Sequence, residues 1–233
     1  MFSVIFEFLP QEGRKEEYLD LAGRLRPKLE KIDGFVDNER FESRRRPGWM
    51  LSHSTWRDEK SVVRWRTQGE HHVAQGKGRF EIFGDYHLRV GDVIADTAPP
   101  SEAPVLERRL DETEVGVAKL VTFSEITPKQ GAAFAAEPDL LPARLGLDLA
   151  DGAVVEHDVL ASIHNAGKLV LLTSWKDADA GKAWSPEKID GIATLRHRRI
   201  RVVRDYGRFD RREAPQFYPD VRDAPANHPA PAR

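Results

Sequence analysis

The sequence predicts an α+β protein built from two tandem ferredoxin-like (βαββαβ) domains that pair their sheets within one chain. Three observations carry this: an internal repeat, the order of elements in each copy, and strands that are apolar on both faces. In the repeat, Gly34-Phe35-Val36 leads through Pro47-Gly48 to the run Leu51 to Asp58, and Trp65 follows nine residues after Trp56. Gly152-Ala153-Val154 leads through Ala166-Gly167 to the run Leu171 to Asp177, and Trp184 follows nine residues after Trp175. The glycine-to-tryptophan distance is 22 residues in the first copy and 23 in the second. A period of about 118 residues is too long for a solenoid and fits one small domain used twice.

Composition bounds the function. The 233 residues hold two domains of about 100 residues, each large enough for its own core. Hydrophobic residues at 40% and charged residues at 32% describe a soluble globular chain. With 36 basic against 38 acidic residues the formal charge is −2, which predicts neither a nucleic-acid nor a membrane partner. The absence of cysteine excludes disulfides, thiolate catalysis and thiolate-ligated zinc or iron–sulfur centres, and fits a cytoplasmic protein. Met1 to Phe8 alternates like a strand and shows no leader pattern, and no run approaches transmembrane length.

The first domain, 1–97, opens with Phe2, Val4, Phe6 and Phe8 on one strand face. Tyr18, Leu21, Leu25, Leu29 and Ile32 then form the apolar stripe of a helix that Pro27 should kink or interrupt. Asp33-Gly34 ends the helix and starts a strand from Phe35 to Ser43. Arg45 to Gly48 is a turn, and Trp49 to Trp56 the returning strand. Asp58 is placed to cap a second helix carrying Val62, Val63 and Trp65. A last strand contains Tyr86, Leu88 and Val90 and ends near Asp96. The helices cover one sheet face, so the other needs a partner sheet.

A Pro-rich linker, 98–112, precedes a second domain at 113–206. Its first helix is interrupted by Pro128, Gly131, Pro138 and Pro142, and its second is short, since sixteen residues separate Trp184 from Ile200. The second copy therefore reads as degenerate. A polar, proline-rich tail, 207–233, is expected to wrap the surface around Phe217 and Tyr218 before becoming disordered.

The run from Gly34-Phe35 through Leu51 to Glu59, with Trp65, Glu70-His71-His72 and Tyr86 to Val90, resembles the antibiotic biosynthesis monooxygenase (ABM) family. The resemblance covers 1–96 well and 114–206 more weakly. It implies a dimeric α+β barrel, here closed within one chain, and as leading activity a cofactor-independent oxidation of a quinol or polycyclic phenol by dioxygen. No flavin, metal or haem is expected. The haem-degrading relatives place an axial histidine where this chain has Gln75, and a strand-one asparagine where it has Phe6 or Glu7. The implied partner is a small aromatic substrate or ligand, with a further homodimer of the two-domain chain left open. The alternative is a non-catalytic ligand-binding or scaffold protein of the same fold, which a packed barrel interior would favour.

Such chemistry asks for an apolar pocket, an acceptor for the phenol proton and a group that stabilises the anion. Trp65 either walls that pocket or is a core aromatic. His72 shares the face of Trp65 if the helix continues, and could take the substrate proton; His71 beside it is a candidate substrate contact, and either could instead cap a helix end. His53 lies mid-strand and is either hydrogen-bonded in the core or facing the cavity. Phe6 would contact substrate. Arg89 would stabilise the anion, although an ion pair with a nearby carboxylate is the preferred role. His71 and His72 project about 100° apart and would not chelate one ion. Arg44-Arg45-Arg46 reads as a solvated turn. With no histidine pair after Trp184, any site is expected in the first copy.

Overall fold

A computed structural model describes residues 1–132 and 137–215; the expected surface wrap around Phe217 and Tyr218 lies outside them. The first half contains β1 (Phe2–Pro10), α1 (Lys15–Leu29), β2 (Phe35–Ser43), β3 (Met50–Trp56), α2 (Glu59–Thr67), α3 (Gly69–Lys77) and β4 (Phe83–Asp96). The second contains β5 (Leu120–Pro128), α4 (Leu141–Arg144), β6 (Val154–Ser162), β7 (Leu169–Trp175), α5 (Ala178–Ala183) and β8 (Ile192–Gly207). The strands close into one antiparallel barrel in the order β1-β3-β2-β6-β7-β5-β8-β4. Each half contributes the ferredoxin-like order, 4-1-3-2 and its repeat 8-5-7-6. The halves are sewn together at two seams, β2 with β6 and β4 with β8. Closure pairs every edge strand, which is how the open sheet faces find their partner.

Strand alternation divides the residues between two environments. Ile5, Phe41, Leu51, Val93, Val121, Phe123, Leu160, Val170, Leu172, Ile200 and Val202 form the barrel interior. Residues one position away face the helices. Trp56 and Trp175, the fold markers of the repeat, are both buried in that outer layer. The linker does more than span: Ala103 is fully buried in the interior cluster, with Val105 packed against it.

The helices follow the sequence with two departures. Pro27 sits in the last turn of α1, two residues before its end, where the lost hydrogen bond interrupts little. The second helix does not run on from Trp65 through His72. It breaks at Gln68, whose ψ of 127° is extended, and α3 starts afresh with the Gln68 side chain accepting from the His71 N–H. Asp58 caps α2 as its type predicts, accepting at 2.8 Å from the Ser61 N–H. In the second half, among the described residues, the proline-interrupted stretch holds a 3-10 turn (Pro138–Leu140) and the four residues of α4, and α5 has six residues.

Candidate functional site in the outer layer of the first half

The two halves differ most in how the helix-facing side of the sheet is filled. In the second half one continuous apolar cluster runs from Leu120 and Ile126 to Trp175, and Thr122 and Ser124 between them are fully buried. In the first half the corresponding layer is split in two. One cluster gathers Phe8, Tyr18, Met50, Ile82, Phe83 and Tyr86; the other gathers Phe2, Leu29, Trp56, Val90 and Val203. Val4 and Phe6 occupy the register positions of Thr122 and Ser124, as the pairings Phe2 with Trp56 and Leu120 with Trp175 establish. With Leu88, the cross-strand partner of Phe6, they remain partly exposed. The gap between the two clusters is a boundary rather than a cavity, floored by the partly exposed Val4, Phe6 and Leu88, with Phe6 itself packed on Phe8 and Phe83.

One side of that floor is polar. Ser52 and Ser54 pair with Phe6 and Val4 on β3, and Asn38 of β2 donates to Ser52 Oγ at 3.1 Å. On the other side β8 supplies Tyr206, paired with Leu88 across the seam and held near 12 by burial. Arg211 lies over the Tyr206 ring and donates to the Tyr86 hydroxyl. Among the described residues neither Arg211 nor Arg66, at the end of α2, has a carboxylate partner, and Nε of each is buried without a hydrogen bond.

The helix break decides which histidine meets the tryptophan. Trp65 packs on the second cluster and is partly exposed, and His71 stacks on it with ring centroids 4.0 Å apart and planes 14° from parallel. His71 Nδ1 lies 2.8 Å from the Trp65 carbonyl, so Nδ1–H donates and Nε2 is left as the acceptor. Burial pushes His71 down to about 4, so the ring is neutral near pH 7. His72 is exposed on α3. The expectation that His72 shares the face of Trp65 is corrected: restarting the helix at Gly69 shifts the phase by one residue.

His53 and Arg89 lie on the opposite side of the sheet, inside the barrel. His53 is buried, 2.8 Å from Ser3 Oγ and stacked on Phe123 at 4.2 Å. Burial and the nearby Arg198 hold it well below the ordinary histidine range. Arg89 is buried against Glu7 and donates to Ser174 Oγ at 2.5 Å, which is the ion pair preferred from the sequence. Arg44 and Arg45 lie exposed in the turn as expected, but Arg46 departs from a solvated role and turns inward to Asp158, at 2.8 Å, and to Glu7. Of the predicted residues, the structure brings Trp65, His71 and Phe6 to the outer layer, leaves His72 at the surface, and sets His53 and Arg89 in the barrel. The barrel interior is packed, yet the gap lies outside it. Leu88 and Ser52 were within reach of strand alternation; Tyr206 and Arg211 were not, because only the β4–β8 seam brings them there.

The sequence model of the family described as antibiotic biosynthesis monooxygenase matches residues 1–77. A protein of Pyricularia oryzae named jasmonate monooxygenase ABM is 41% identical over 224 residues, covering 94% of this chain and 99% of its own length. A Fusobacterium nucleatum protein crystallised as a candidate monooxygenase is 11% identical over 88% of this chain and 93% of its own, with a TM-score of 0.38. An anthrone oxidase-like protein is 13% identical over 92% and 96%, with a TM-score of 0.34. Structural likenesses this distant carry no argument about chemistry.

Proposed function

The chain belongs to the antibiotic biosynthesis monooxygenase family, and on that premise we propose that it inserts one atom of dioxygen into a small, largely apolar carboxylic acid of the jasmonate type, bound in the first-half gap. The observation that carries this reading is the jasmonate monooxygenase relative, alike over nearly the whole of both chains. The gap supports it chemically. Val4, Phe6, Leu88 and Trp65 offer an apolar surface for ring and chain, and Arg66 and Arg211 are cations without a described carboxylate partner. The second oxygen atom leaves as water, so the reaction draws two electrons and two protons from a soluble reductant such as ascorbate.

A second substrate class, the quinol or polycyclic phenol, is favoured by the Trp65–His71 pair. The aromatic wall would contact the substrate, and neutral His71 would accept a hydrogen bond from its phenolic hydroxyl at Nε2. Such a substrate supplies its own electrons, so no external reductant enters. Dioxygen uptake with jasmonic acid plus ascorbate, and with quinols alone, separates the two. Uptake above autoxidation, with an oxygenated product by mass, is expected with the first. Uptake only with quinols would move the assignment to phenols, and saturable binding without turnover to a ligand-binding role.

A further inference from the structure

The barrel has two mouths, and the tandem repeat furnishes each with the same charged side chains except at one position. By register, Glu7 corresponds to Glu125, Arg89 to Arg198, Asp158 to Glu39, Glu156 to Asp37 and Asp205 to Asp96. Lys168 joins Glu125 and Glu39 at the second mouth as Arg46 joins Glu7 and Asp158 at the first. The seventh position breaks the charge match: Arg196 at the second mouth is His87 at the first. Arg196 ties the halves together, bonded to Asp96 at 2.7 Å and within 3.8 Å of Asp37. Over these seven positions the first mouth has as many carboxylates and one fixed cation fewer, with Arg45 lining its cleft further out.

We propose that Glu7, His87 and Glu156 form a divalent metal site that supplies at this mouth the positive charge Arg196 supplies at the other, beside Arg46 and Arg89, which hold Glu7, and with Arg89 3.3 Å from Glu156 Oε1. Three features beyond the charge deficit support it. The candidate ligand atoms of these residues all lie within 4.8 Å of one another, and two ligands on one small divalent ion stand roughly 3–4 Å apart. His87 Nε2 is 2.6 Å from Asp205 Oδ1, while Nδ1 faces Glu7 Oε2 at 3.9 Å, too far for a hydrogen bond. A carboxylate on one ring nitrogen with the other left for the ion is the usual support of a ligating histidine. The mouth is also accessible: clefts of about 380 Å³ and 280 Å³ share Val155 and Glu156, with Glu7 lining one and His87 the other. Two carboxylates and an imidazole suit Mn2+, Co2+ or Zn2+. The family resemblance led to no metal being expected, and the spacing of His71 and His72 excluded only that pair; Glu7, His87 and Glu156 come from β1, β4 and β6, and Glu156 joins the other two only on closure. The ion would staple the first half to the second, independently of the gap on the other side of the sheet.

The test is calorimetric titration and thermal melting of the chelator-treated full chain with Mn2+ and with Co2+. One ion per chain and a saturable rise in Tm are expected. Glu156→Gln should weaken binding at least tenfold, and Asp205→Asn by about 10–100-fold through the histidine. His87→Arg restores the cation of the other mouth, so it should melt above the metal-free wild type and respond to neither ion. No rise in Tm with either ion in large excess would overturn the proposal. So would variants that respond as the wild type does.

Discussion

The histidines of this chain are told apart by what they touch. His71 is neutral, stacked on Trp65 and fixed in one tautomer by a carbonyl; His53 is neutral inside the barrel; His72 is at the surface. Trp65→Ala removes the gap's aromatic wall and the partner of His71, and should lower turnover on the order of a hundredfold while the fold is retained. His72→Ala should leave turnover unchanged, and kcat/KM for both variants checks the pair. Trp65 was visible in the sequence because its spacing from Trp56 repeats. The choice between His71 and His72 was not, because it turns on one extended residue, Gln68, inside a stretch that otherwise reads as helix.

At the scale of elements, local signals translated well wherever they were self-contained. Asp58, three residues before Ser61, caps α2 as its type requires, and Asp58→Ala should cost about 1 kcal/mol, read as a lowered Tm. The prolines at 138 and 142 leave α4 a single turn. Contacts between elements were less legible. Glu7, alternating with the apolar residues of β1, gave no sign that it would be buried against Arg89 and Arg46 from two other elements. Burial alone would raise the Glu7 carboxyl, but the two guanidiniums hold it below the ordinary range. Glu7→Gln strips the charge from one side of that cluster, and denaturant unfolding should show a loss of about 3–5 kcal/mol.

For the whole molecule, tandem duplication makes a closed barrel inside one chain and then lets its halves diverge. Among the described residues every strand of the barrel has a partner on each side, although the β2–β6 seam joins only Phe41–Ser43 to Leu160–Ser162. Among the described residues no helix is long and apolar enough to cross a membrane. The buried histidines give the fold a pH signature. Burial lowers His71 and His197 to about 4, against about 6.5 for an unperturbed histidine, and holds His53 well below the ordinary histidine range. The unfolded chain therefore binds more protons than the folded one between these values. Stability from this source is complete above about 6.5 and falls as the pH drops toward 4, which Tm measured across that window will show. The outer layers diverge too: Thr122 and Ser124 are fully buried in one half, while Val4 and Phe6 are only partly buried in the other. Oxygenation is proposed to occur on this partly exposed face of the first half. Dioxygen consumption by Trp65→Ala and by its repeat counterpart Trp184→Ala, each against wild type on the same substrate, tests it most directly. Loss in the first variant with turnover kept in the second is the predicted result; turnover kept in Trp65→Ala and lost in Trp184→Ala would contradict it.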